Sequence, residues 1–288
     1  MGWTVEIDRG RLLDLFLELC SADSAPLAER PVFQVVLRRL KEMGFDVYVD
    51  DAGEKAGGEV GNLLAAKPGT GRLASARPLL FSAHMDRVAG GIGVRPRVAG
   101  GVVTSSGDTV LGADDAAGIA AILEAYRAIL DSGADHPPFE CLFTIGEEIG
   151  LVGAREADLS RFASACGFVL DADGPVGTVV AQAPTQYTVT ATIFGRAAHA
   201  GIAPERGVSA IKIAAQAISR MQLGRIDAET TANVGYIAGG GPTNIVPERA
   251  EIRAETRSLD RSKVERQLAQ MRAALQEAAA ACGGRAEV

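Results

Sequence analysis

The sequence predicts two domains of different class: an α/β domain over 1–182, with a mixed, mostly parallel sheet flanked by helices, and a smaller α+β domain over 183–288. Three observations carry this reading. Helical and strand-like apolar patterns alternate through the first part, long alternating strands replace them in the second, and several strand-like runs of the first part stop on ionisable side chains.

In the first part, Leu12, Leu13, Phe16 and Leu19 share one face of a helix over 8–20. The same spacing repeats over 31–43, where Gly44 closes the helix and FDVYV opens a strand. Further strands are predicted at GNLLAAK, PLLFSAH, FECLFTI and GFVLDAD. Between the second and third of these, Ile119, Ile122, Tyr126 and Ile129 line one face of a helix over 115–130. In the second part, TQYTVTATIFG reads as a strand, 208–223 as a helix, TANVGYIAGG and RAEIRAETRS as two strands, and 261–283 as a helix. The order β-α-β-β-α is that of a ferredoxin-like sandwich short of one strand. The final residues, GGRAEV, fall where that strand would begin, so it is expected to be incomplete.

Composition narrows the function. With 288 residues, 47% hydrophobic and 23% charged, the chain reads as globular. A net charge of −7 without any basic run argues against nucleic acid and favours a small-molecule or peptide partner. The first twenty residues resemble neither a signal peptide nor a membrane span, so a cytoplasmic protein is expected. Cys20, Cys141, Cys166 and Cys282 form no Cys-x-x-Cys pair, so any metal must use other ligands.

The strand-like runs supply such ligands. FSAHMD ends on His84 and Asp86, VVTSSGDTVLGAD on Asp114, FECLFTIGEE on Glu147 and Glu148, and GFVLD on Asp171. Each has a plain structural alternative: Asp114 and Asp115 as helix caps, the glutamates as acids drawn to a helix N-terminus, Asp171 as a turn residue, His84 as a hydrogen-bonded core histidine. Taken together they fit chance poorly. Strand carboxyl ends are where ligands gather in α/β sheets, and one imidazole with several carboxylates suits Zn²⁺, Mn²⁺ or Co²⁺, with a dinuclear site bridged by one aspartate as the natural reading.

Six stretches also carry a resemblance: AHMDRV, LGADDAAGIAAI, FTIGEEIGLVGA, LDADGPVG, GRAAHAGIAPERG and TNIVPERAEIRAETRSLD. In order and content they resemble the signature blocks of peptidase T-like tripeptidases. These belong to the zinc metallopeptidase superfamily that includes aminoacylase, acetylornithine deacetylase and carboxypeptidase G. The resemblance implies a zinc-binding catalytic domain over 1–182 and a lid or dimerisation domain over 183–288. It implies two zinc ions, one held by His84 and Asp171, the other by Glu148, with Asp114 bridging. Asp86 would orient His84, and Glu147 would be the general base for a metal-bridged hydroxide attacking a short peptide. His199 would donate to the oxyanion, and Arg257 and Asn244 would hold the substrate. A cis Asp114–Asp115 bond and a homodimer through the lid are further implications.

The chain departs from that family in three ways. Arg87 follows HMD where Thr is usual, and Ala116 stands two positions after the bridging aspartate where Lys is usual. Family members also continue for several dozen residues, which return to the main sheet and bring a second zinc histidine. The second metal site is therefore expected to be incomplete, with a sheet edge and apolar surface left uncovered. An N-acyl amino acid deacylase, a dipeptidase or a carboxypeptidase of the same superfamily stays open as an alternative. So does a truncated, inactive relative acting only as a binding module.

Overall fold

The computed structural model describes residues 5–288, which form two compact units that divide between Gly177 and Thr178. In the first, two amphipathic helices come first, α1 (Arg9–Ser21) and α2 (Arg30–Glu42). Asp8 caps α1 by accepting from the Arg11 N–H at 3.0 Å, and Leu15, Leu19 and Cys20 turn inward. In α2 the buried face is Val32, Val35, Val36 and Leu40, and the helix stops before Gly44, whose φ of +73° reverses the chain.

The central sheet follows: β1 (Asp46–Val49), then the short α3 (Ala52–Ala56), β2 (Leu63–Lys67) and β3 (Leu79–His84). A separate hairpin, β4 (Pro96–Ala99) and β5 (Val102–Ser105), precedes the long helix α4 (Ala113–Ser132). The unit closes with β6 (Phe139–Thr144), α5 (Val152–Glu156) and β7 (Gly167–Val169). The sheet order is β1-β2-β6-β3-β7. It is mixed, as expected, with parallel ladders joining β6 to β3 and β3 to β7, and antiparallel ones joining β1 to β2 and β2 to β6. All six residues of β6 are buried, which accounts for its apolar run, broken only by Glu140 and the terminal Thr144. Tyr126 of α4 packs its ring against Phe45, Phe81 and Phe139, with centroids 4.4–6.0 Å away. At the outer edge, Gly167, Phe168 and Val169 are all exposed.

The second unit is a five-stranded antiparallel sheet backed by two helices: β8 (Thr185–Phe194), α6 (Ala210–Arg220), β9 (Gly224–Arg225), β10 (Thr230–Gly239), β11 (Arg249–Ser258), α7 (Arg261–Ala281) and β12 (Arg285–Glu287). The order β12-β8-β11-β10-β9 sets the last strand beside the first, and the strand expected to be incomplete is three residues long. On β11 the alternation is complete. Ala250, Ile252, Ala254, Thr256 and Ser258 are buried, while Arg249, Glu251, Arg253, Glu255 and Arg257 lie on the opposite face. The inward set meets Ile213, Ala214 and Ala217 of α6 and Met271, Ala274 and Leu275 of α7. Among the described residues no helix is long and apolar enough to cross a membrane.

Candidate metal centre

The parallel half of the sheet gathers the ionisable residues. His84 is the last residue of β3 and pairs in register with Thr144, the last of β6, so Glu147 and Glu148 follow one turn beyond the same edge. Asp171 follows β7, where the Leu170 N–H still bonds to the Ser82 carbonyl at 2.9 Å. Asp114 arrives differently. The sequence reading placed it at a strand end, but β5 stops at Ser105, and Asp114 sits in the first turn of α4, joined to Asp115 by a cis peptide bond, as the resemblance implied. The glutamates lie in the turn after β6, as the strand-end reading expects, and not at the head of a helix, which was the plain alternative, since α5 begins only at Val152.

Two donor groups result, one of His84, Asp114 and Asp171, the other of His84, Glu147 and Glu148; within each the donor atoms lie no more than 4.8 Å apart. His84 is common to both, with its Nε2 3.0 Å from an Asp114 oxygen. Donors on one zinc ion stand about 3.3 Å apart, given bonds of about 2.0–2.1 Å in tetrahedral geometry. The opposite ring nitrogen, Nδ1, donates to the Asp86 carbonyl at 2.9 Å and lies 3.4 Å from the Asp86 carboxylate. That carboxylate also receives the N–H groups of Glu147 at 2.8 Å and Glu148 at 3.0 Å. One buried aspartate therefore touches His84, which both groups share, and the turn that carries Glu147 and Glu148.

The charge state of these residues fits a cation. Burial alone would lower the His84 pKa, yet hydrogen bonds with Asp86 and Asp114 outweigh it and push the imidazole up to about 10. Burial pushes Asp115 up to about 8, against the pull of His84 and with the push of Asp171. Asp171 and Glu148 also rise, burial again being the larger cause. Like charges crowd one another here, and a divalent cation would relieve that repulsion. Glu148 Oε1 points the same way, being buried without any hydrogen-bond partner. The donors present therefore fit a metal ion.

Arg87, the departure after HMD, is buried, and burial lowers its pKa. Its guanidinium donates to the carbonyls of Leu19 at 3.0 Å, Cys20 at 3.2 Å and Gly91 at 2.9 Å, closing the C-terminal end of α1. The side chain runs against Gly112, where a Cβ would come within 2.0 Å of Nε. It thereby supports the turn that leads into Asp114. Arg87→Met should lower unfolding stability by about 2–4 kcal/mol, because three carbonyls lose a charged donor; urea unfolding reads this directly.

In the second unit, His199 and Asn244 are neighbours. His199 pairs with Ile245 in an isolated bridge, and the Ala200 N–H bonds to the Asn244 carbonyl at 2.8 Å. Arg257 is not brought to them. It lies near the far end of β11, eight residues and roughly 27 Å along the strand from Arg249. There Glu255 takes its Nε and Nη2 at 3.0 and 2.9 Å.

Comparison with known proteins places the chain. Residues 62–178 match the profile of peptidase family M28, and residues 185–281 that of the peptidase dimerisation domain. Aminopeptidase PepT from Bacillus cereus is 44% identical, with a TM-score of 0.90 over 98% of this chain and 75% of its own. The chain belongs to the peptidase T family of peptidases. A tripeptidase from Staphylococcus aureus superposes on the peptidase T-like chain with a TM-score of 0.93 at 39% identity, covering 99% of it and 75% of the tripeptidase. The YqjE protein of Bacillus subtilis is 46% identical over 98% of this chain and 75% of its own length. The chain spans about three quarters of each of these relatives.

Proposed function

We propose that the protein is a zinc-dependent peptidase that removes residues from short peptides, in the manner of a tripeptide aminopeptidase. The observation that supports this most is the convergence of His84, Asp114, Asp171, Glu147 and Glu148 at the edge where three parallel strands end. His84, Asp114 and Asp171 would hold one ion, and Glu148 with Asp114 a second. Bound zinc supplies Lewis acidity, polarising a peptide carbonyl and lowering the pKa of water.

The remaining steps fall to the chain. Glu147, fixed at its N–H by Asp86, takes the proton of the attacking water and passes it to the leaving amine nitrogen. Asp86 holds His84 in one ring orientation and tautomer, so that Nε2 faces the donors. His199 is assigned as the donor to the developing oxyanion and Asn244 as a substrate contact. Arg257 is assigned to the peptide carboxylate on the resemblance alone: its bidentate fork suits a carboxylate, but Glu255 holds it at the end of β11 away from Asn244. A homodimer through 183–288 accords with the dimerisation profile.

Zinc stoichiometry measured together with hydrolysis of a panel of tripeptides, dipeptides and N-acyl amino acids tests the reading. Two zinc ions with preferred turnover of tripeptides is the expected result. Preferred cleavage of N-acyl amino acids would make it a deacylase. A single ion without turnover would favour a binding module, a reading prompted by the one imidazole that the two groups share.

A further inference from the structure

The turn that carries Glu147 and Glu148 is gripped through its backbone. Four consecutive amides each donate to a side-chain oxygen from elsewhere in the chain: Ile145 to Asn62 Oδ1 at 3.1 Å, Gly146 to Glu29 Oε1 at 3.0 Å, and Glu147 and Glu148 to the two oxygens of Asp86. Asn62 and Glu29 are fully buried, and Asp86 is nearly so. No helix or strand ladder satisfies these amides, so the side chains alone define where the turn lies.

Among the three, Glu29 is the least expected. It is a carboxyl at 0% exposure with no cation bonded to it among the described residues, and burial raises its pKa. Oε1 serves both the Leu27 N–H at 2.8 Å and the Gly146 N–H, whereas Oε2 is buried without a partner. Leu27 and Gly146 both adopt left-handed backbone, with φ of +67° and +58°, so one oxygen joins two reversals of the chain that lie over a hundred residues apart. A buried carboxyl kept in such a place without a counter-charge costs stability unless its acceptor is needed.

We propose that Glu29 is a positioning residue for the metal centre: its Oε1 fixes the Gly146 peptide, and so the direction in which Glu147 and Glu148 leave β6. This rests on the metallopeptidase reading above. What matters is an acceptor at the Oε1 position, because only that oxygen is engaged. Glutamine supplies the same acceptor, leucine supplies none, and aspartate is one methylene too short to reach.

The test is zinc titration of the full chain and its Glu29→Gln, Glu29→Leu and Glu29→Asp variants, with tripeptide kinetics alongside and circular dichroism to establish folding. In the Leu and Asp variants zinc affinity should fall about 10–100-fold, and kcat by a similar factor with KM little changed. Glu29→Gln should restore both. Should Glu29→Leu fail to fold, Glu29→Asp carries the comparison. Zinc binding by the Leu or Asp variant at wild-type affinity overturns the proposal, as does a Gln variant impaired as much as they are. A wild-type chain that neither binds zinc nor cleaves peptides refutes the metallopeptidase reading instead, so the two failures are distinct.

Discussion

Glu147→Gln is expected to reduce kcat for tripeptide hydrolysis by about 10²–10⁴-fold, the usual contribution of a positioned general base. Glutamine keeps the size of the side chain and leaves the backbone N–H free to bond to Asp86, so the turn should stay where it is. Zinc affinity and KM should change little, since the lost function is proton transfer alone. Steady-state kinetics paired with a zinc titration read the two separately. Unchanged turnover would remove Glu147 from the mechanism, and loss of zinc together with turnover would make it a ligand, a role that its place in one donor group with His84 and Glu148 also permits.

The second large effect is expected at Asp86. Its carboxylate accepts two amide N–H groups and faces the His84 imidazole, and these partners hold its pKa down although burial pushes it up. Asp86→Ala strands both amides in a buried setting and frees the ring of His84. The expected loss is about 2–5 kcal/mol of unfolding stability, with zinc affinity lower by about 10–100-fold. Urea unfolding of the metal-free protein and calorimetric titration of zinc measure these effects. Stability within error of wild type would mean that solvent or a neighbouring side chain replaces the carboxylate, and the linking role assigned to Asp86 would fall.

How much of this is legible in the sequence depends on the range of the signal. The helical face of Ile119, Ile122 and Tyr126 and the alternation of β11 are local patterns, and both elements form where those patterns lie. His84, Glu147, Glu148 and Asp171 are readable because each ends or follows a run that reads as a strand, and β3, β6 and β7 form there. Asp114 is harder. The run VVTSSGDTVLGAD reads as one strand, but β5 ends at Ser105, and the rest passes through Gly107 and Gly112, both at positive φ, into α4. Glu29 and Asn62 leave no local trace, because a single acid before a helix or a single amide at the head of a strand looks like surface until its distant partner is known. Arg87 reads as an irregularity in a motif until the carbonyls of α1 are seen to receive it.

The gripped turn also bears on how the first unit is completed during folding. Its holding bonds span 117 residues to Glu29, 83 to Asn62 and 61 to Asp86. Contacts that close loops of this length form after local helices and hairpins, because chain entropy must be lost before they are made. On the proposed function, metal-binding competence would therefore be acquired late, when segments from the beginning, middle and end of the unit have already met. A chain that binds zinc tightly has by that act reported that its longest-range contacts are in place.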